Sequence, residues 1–256
     1  MKKVFLALLF GFIAIFVGCK NEEKLVMATA AEFPPFEFKE GKEFRGIDID
    51  IAQALAKELG VELEIKDMEF DSVVSAISSG NADLGISGLT INETRSKVVN
   101  FSIPYYSAAQ VVIANKDSTF KFSGNDAEEL KKLISNTNGI KIGVATGTTG
   151  AFYANGDKDW GFDGFPNAEV KSFVNGSLAV NALVNGVVDI VILDEAPAKI
   201  LSNSNQGTQV FDVFLTEEQY GVAVNKNNKE LLAKINATLV KLKESGALDS
   251  IIQSYL

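Results

Sequence analysis

Two distant stretches carry side chains that could act together on one small molecule: Ser87-Gly88-Leu89-Thr90-Ile91-Asn92-Glu93-Thr94-Arg95 and Leu193-Asp194-Glu195. The first offers a guanidinium beside small polar groups, the second a carboxylate at the end of an apolar run. The planar donor fork of Arg95 can meet a carboxylate with two parallel hydrogen bonds, which the point charge of a lysine cannot reproduce. Asp194, Thr90 and the carbonyls of Ser87 and Gly88 can accept the hydrogens of an ammonium group. A cation for a carboxylate and an anion for an ammonium are together what a free α-amino acid requires. Singly, Arg95 reads more readily as a solvated surface charge and Asp194 as a turn residue, so the inference rests on a fold that brings them together.

A third segment bears on the same chemistry. Thr146-Gly147-Thr148-Thr149-Gly150 follows a strand pattern and opens a helix, where backbone N–H groups face an anion. It lacks both the Gly-Lys-Ser/Thr ending of a phosphate loop and the three-glycine dinucleotide spacing, so a small carboxylate suits it better than a nucleotide. Phe33 and Phe70 sit in polar or acidic turns just past strands and are candidate pocket walls. Trp160, within Asp159-Trp160-Gly161-Phe162, reads as loop packing.

Composition excludes several classes of activity. The chain has no histidine, which removes Ser-His-Asp and Cys-His catalysis and every histidine-containing zinc site. No metal or cofactor is expected. The net charge is −9, or −11 without Lys2 and Lys3, and an acidic chain is a poor partner for nucleic acid.

The N-terminus has a basic start, Met1-Lys2-Lys3, and an apolar run from Val4 to Val17, as an export signal does. As a helix this run would reach about 21 Å, short of a ~30 Å hydrocarbon core. The lone cysteine, Cys19, can make no internal disulfide and ends the signal. Phe16-Val17-Gly18-Cys19 resembles a bacterial lipobox with Phe16 in place of the usual leucine, which implies cleavage before Cys19 and acylation there. The alternative is a plain secretory signal. Residues 19–23 then form a polar tether, and the lipid is the only membrane contact expected of a monomeric chain.

The elements that must position these groups alternate. Leu25-Val26-Met27-Ala28 reads as a strand, Asp48 to Leu59 as a helix closed by Gly60, and Val61 to Lys66 as a strand. Ser72 to Ser79 is a helix ending at Gly80, and Asp83 to Ile86 a strand. The plan recurs: Gly139 to Ala145 is a strand, Ser177 to Asn185 a helix closed by Gly186, and Asp189 to Ile192 a strand. Helix, glycine, aspartate and strand occur twice in one order, which predicts two similar α/β lobes with mainly parallel, helix-covered sheets. Ligands bind beyond the carboxyl ends of such strands. Arg95 and Thr90 from one lobe and Thr149 and Asp194 from the other would therefore face a shared cleft.

On these residues the chain resembles the polar amino-acid-binding proteins of bacterial ABC importers, family 3 of the extracellular solute-binding proteins, from about Leu25 to Tyr255. The anchors are Phe33-Pro34-Pro35-Phe36-Glu37-Phe38, Gly46-Ile47-Asp48-Ile49-Asp50, Asp83-Leu84, Gly88-Leu89-Thr90-Ile91 through Glu93 and Arg95, Phe101-Ser102-Ile103-Pro104-Tyr105-Tyr106, Gly147-Thr148-Thr149 and Asp194. The resemblance implies a type II periplasmic-binding-protein fold with residues 24–104 and 221–256 in lobe one and 110–215 in lobe two. Crossover segments would lie at 105–109 and 216–220, after a signal at 1–18. It further implies that Arg95 takes the ligand's α-carboxylate with the Thr90 and Thr149 backbone N–H groups. Ser87, Gly88 and Asp194 would take the ammonium, and Phe33 and Phe70 would flank the side chain.

The implied role is capture of a free polar amino acid and delivery to an ABC permease, from the periplasm or cell surface. Glu32 and Asp48 lie beside the aromatic pair in sequence and would neutralise a cationic side chain. Many relatives have an acid at the position of Ala30 and several Asp or His at that of Leu193, so the side-chain preference stays open. Two other roles fit the same scaffold: a ligand-sensing or adhesive lipoprotein, and a cyclohexadienyl dehydratase-like enzyme using Glu32, Asp48 or Glu195 as proton donor.

Overall fold

The computed structural model describes residues 24–256 as two α/β lobes; the signal, Cys19 and the tether lie outside them. The first five-stranded sheet runs, in spatial order, Glu62–Asp67, Lys24–Thr29, Leu84–Gly85, Ala223–Asn225 and Val99–Phe101. The second runs Glu169–Phe173, Lys141–Ala145, Ile190–Asp194, Gln110–Asn115 and Thr208–Phe211. In each sheet the first three strands are parallel, and the fourth is antiparallel to both its neighbours. The sheets are thus less parallel than the alternating pattern predicts. The cause is the connection between lobes: each fourth strand enters from the opposite lobe, immediately after a crossing, and so runs against the local βαβ strands.

The two crossings pair with each other. Tyr106–Ala108 and Glu218–Tyr220 form an antiparallel two-stranded ribbon with Ser107 opposite Gln219. A short meander of Glu32–Phe33, Glu37–Glu40 and Glu43–Arg45 follows the first strand.

Helices cover both faces of each sheet. In lobe one, Ile47–Leu59 packs Ile47, Ile51 and Leu55 with Met27, Leu84 and Val224, together with Ile235 and Leu239 of the helix Lys229–Glu244. The opposite face takes Val73 and Ile77 of the helix Phe70–Ser78 against Ala28 and Ala223. Met27 and Ala28 fall on opposite sides because strand side chains alternate. In lobe two, Leu130 and Ile134 pack on one face, and Val180 and Leu183 of the helix Gly176–Val184 on the other.

The repeated glycine–aspartate spacing has a structural use in both lobes. Gly80 and Gly186 end their helices at φ 79° and 69°, where a side chain would be strained. Three residues on, Asp83 accepts from the Val26 N–H at 2.8 Å and Asp189 from the Lys141 N–H at 2.8 Å. Each aspartate thereby ties the start of its own strand to the start of the neighbouring parallel strand.

Candidate functional site

The strand ends of both lobes meet at a cavity of about 290 Å³, lined in part by Phe33, Phe70, Gly88, Thr90, Thr149 and Asp194. The cleft around it is closed. Arg95 of lobe one donates through Nη2 to the Gly147 carbonyl of lobe two at 3.2 Å, and the Thr149 hydroxyl donates to that of Thr90 at 3.1 Å. The Asn175 amide donates to Glu32 across the same gap. Asn175 also caps its own helix, accepting from the Leu178 N–H at 2.9 Å, so one side chain fixes a helix start and a lobe contact. Lys97 and Asp159 pair across the cleft at 3.6 Å but are largely exposed, so that contact holds little.

Arg95 is oriented from several sides. It sits in the short helix Glu93–Ser96, whose N-cap Asn92 accepts from the Arg95 N–H at 2.8 Å. Its Nη1 donates to the Thr90 carbonyl at 3.0 Å. The guanidinium carbon lies 5.4 Å from the Phe70 ring centre and 5.1 Å from that of Trp160, within cation–π range. Burial lowers its pKa to about 10, against the attraction of Glu218, Asp194 and Tyr220, so it stays charged at neutral pH. The two backbone bonds leave part of its donor fork uncommitted.

Asp194 ends the strand Ile190–Asp194 and is buried, with its Oδ1 accepting from the Tyr220 hydroxyl. Burial, and then the negative charge of Glu218, push its pKa up to about 7, against hydrogen bonds that favour the ionised form. An arriving ammonium would restore the charged state, because an opposite charge at close range favours ionisation. Glu218 itself accepts three hydrogen bonds, from Thr90 Oγ1 at 2.6 Å, Thr216 Oγ1 at 2.7 Å and Gln110 Nε2 at 3.0 Å.

Gly88 approaches the cavity in a left-handed conformation that strains other residues. Its φ is +53°, and a Cβ there would lie 2.9 Å from the Phe33 ring. Phe33 can therefore pack flat over the turn. Ser87 lies behind this turn and is fully buried; its hydroxyl accepts from the Ala30 N–H at 3.0 Å and donates to Glu37 at 2.7 Å.

Three expectations from sequence are corrected. Asp48 does not face the cavity: it is fully buried and accepts from the Gly88 N–H at 2.8 Å, while burial raises its pKa to about 6. It supports the turn from behind, beside Glu37, whose pKa burial and then the Asp48 charge raise well above the usual carboxylate range. Trp160 is not mere loop packing, since it stacks on Phe152 and reaches Arg95 of the other lobe. Phe70 begins a helix rather than sitting in a turn.

Several lining residues were not singled out from sequence. Asp67 ends the strand Glu62–Asp67 and Glu69 follows it, and both line the cavity with Glu32. Their position at a strand's carboxyl end was the available signal. Glu218, Gln110 and Tyr220 gave none, because their side chains meet the site only through the crossings. Among the described residues no cluster of histidine, cysteine, aspartate or glutamate could hold a metal ion. No helix among them is long and apolar enough to cross a membrane.

The chain belongs to the bacterial extracellular solute-binding proteins, family 3, which it matches over residues 25–256. It is 35% identical to a probable histidine-binding protein of Neisseria gonorrhoeae, over 90% of this chain and 81% of that one. It is 32% identical to the ABC transporter arginine-binding protein 1 of Escherichia coli strain K12, over 98% and 97% of the two chains. The substrate-binding protein of an amino acid ABC transporter superposes with a TM-score of 0.80 at 33% identity, over 91% of this chain and 99% of that one. AbpA from Streptococcus pneumoniae, bound to L-arginine, superposes with a TM-score of 0.77 at 35% identity, over 91% and 94%. The architecture is that of the type II periplasmic binding proteins.

Proposed function

We propose that this chain captures a free L-α-amino acid with a cationic side chain between its lobes and delivers it to an ABC permease. The observation that carries the reading is a buried carboxylate, Asp194, in the cavity lining of one lobe and a buried guanidinium, Arg95, on the other lobe, joined to the lining residue Thr90 and stacked near the lining residue Phe70. In this reading the α-carboxylate meets Arg95 and the Thr90 and Thr149 backbone N–H groups. The ammonium meets Asp194 and the Ser87 and Gly88 carbonyls. The side chain runs between Phe33 and Phe70 toward Glu32, Asp67 and Glu69.

The charge of the cavity supports a cationic ligand. Its lining holds Glu32, Asp67, Glu69 and Asp194; Lys39 pairs with Asp67 and Arg95 adjoins Thr90, which leaves Glu32 and Glu69 as the acids available to a ligand side chain. Aromatic faces such as Phe33 and Phe70 attract a guanidinium by about 0.5–2 kcal/mol. The named relatives and the arginine complex of AbpA point the same way. The ligand halves lie on separate lobes, so binding selects the closed cleft and offers the permease a composite surface. Acylation at Cys19 would hold the chain at the membrane. The reading is one of capture without turnover.

Competition calorimetry of arginine and lysine against histidine, glutamine, glutamate and cystine tests it, on the chain starting at Lys20. A ligand at 100 times its dissociation constant should also add about 2.7 kcal/mol of stability. Arginine or lysine is expected to bind most tightly. Glutamate binding more tightly than arginine would refute the cationic reading, and binding of no amino acid would refute capture itself.

A further inference from the structure

Glu218 is a buried carboxylate with no place in the ligand contacts proposed above. It stands on the crossing strand Glu218–Tyr220 and joins three parts of the chain. Its Oε2 accepts from Thr90 of lobe one, and its Oε1 from Gln110, the first residue of the lobe-two strand Gln110–Asn115. Thr216, just upstream on the same crossing, also donates to Oε1. One side chain thus ties both lobes to the ribbon between them.

The direction of these bonds matters. All three donors point at Glu218, so the Thr90 hydroxyl has its proton committed and can only accept from Thr149 across the cleft. An amide at position 218 would turn an N–H₂ group toward at least one of these donors and force it to reverse or lose its bond, undoing the all-donor arrangement. Reversal at Thr90 would carry across the cleft, because its oxygen already accepts from Thr149, and any buried donor left without a partner forfeits its solvation.

We propose that Glu218 is the positioning residue of the site: it locks Thr90 of one lobe and Gln110 of the other in the register that ligand capture requires. The inference rests on the amino-acid-capture reading. A second role for the same carboxylate would act in the opposite direction. Its negative charge also acts on Arg95, so if charge were its main effect, removing it would strengthen the pull of Arg95 on a ligand carboxylate. The sign of the change therefore separates positioning from charge.

Trp160 supplies the readout. It is the chain's only tryptophan, it belongs to lobe two, and it lies 5.1 Å from the Arg95 guanidinium carbon of lobe one. Its emission should follow the meeting of the lobes. Stopped-flow mixing of L-arginine with the chain starting at Lys20, which includes every core residue described, gives association and dissociation separately. Glu218→Gln is expected to release arginine at least tenfold faster, with association within threefold of wild type. Thr90→Val, which keeps the backbone N–H but removes the hydroxyl, should accelerate release as well. The double variant should be no worse than the worse single one, because both break the same link.

Release unchanged or slowed in Glu218→Gln would overturn the proposal, and so would a lowered melting temperature with wild-type release, which marks a merely structural role. Additive losses in the double variant would also overturn it. Should wild type respond to no amino acid, the capture reading falls and this proposal with it. A wild type that binds arginine beside an unaffected variant would sink the Glu218 proposal alone.

Discussion

Lowering the pH from about 7.5 to about 5 should weaken amino-acid capture roughly 100-fold through Asp194. In the unliganded protein, burial and the Glu218 charge raise this carboxyl from 3.8 to about 7. The preference for the neutral form is about 4 kcal/mol at ~1.4 kcal/mol per pKa unit. An ammonium seated against Asp194 needs the carboxylate ionised, so the pKa in the complex lies below that of the free site. Affinity is then level above about pH 7 and falls toward tenfold per unit below it. Near pH 5 the loss is two such factors, about 2.7 kcal/mol.

Calorimetry with L-arginine in two buffers of different ionisation enthalpy measures the proton count directly. It should approach one proton released near pH 6 and fall close to zero near pH 8. Asp194→Asn should bind weakly with a flatter profile, which separates this group from Asp48 and Glu37 behind Gly88. A change in affinity below about threefold over that range, with the protein still folded by circular dichroism, would refute the assignment of Asp194 as the ammonium's partner.

Three further outcomes follow from the same geometry. Arg95→Ala should cost about 2–5 kcal/mol of binding, some 30-fold to several-thousand-fold, for every amino acid alike; calorimetric affinities within threefold of wild type would contradict it. For Asp48, whose folded pKa of about 6 exceeds its reference value of 3.8, stability is fully present below about pH 4 and lost by roughly 3 kcal/mol as pH rises past 6. Asp48→Asn should flatten urea-derived stability over that window, and an unaltered slope would count against the burial of this acid. Gly88→Ala forces a side chain at φ +53° and against the Phe33 ring, so it should destabilise the protein by about 1–2 kcal/mol. It should also loosen arginine binding, and a thermal melt and titration matching wild type would show that the turn tolerates a side chain.

Much of the architecture is legible in the chain because it depends on local order. Helix–glycine–aspartate–strand occurs at residues 72–86 and again at 177–192, and each glycine and aspartate acts on its immediate neighbours. Arg95, Thr90, Thr149 and Asp194 could be named for a similar reason. Strand ends in α/β sheets face ligands, and few residue types can meet a zwitterion. Even the antiparallel fourth strands follow from one fact absent from a periodicity reading, the two crossings between lobes.

Two α/β units, the polar ends of their strands and the chemical types placed there can thus be read along the chain. Which neighbours of those groups turn toward the cleft depends on how the lobes pack. Asp48 lies at a helix start, where an acid is favoured by the helix dipole whether exposed or buried, and the packing of Gly88 over it sends it inward. Trp160 meets Arg95, and Glu32 meets Asn175, across the gap between the lobes. Glu218 meets Thr90 and Gln110 across 128 and 108 residues of chain. No local pattern encodes such contacts, because side-chain direction at a site between lobes is set by how two separately packed cores come together.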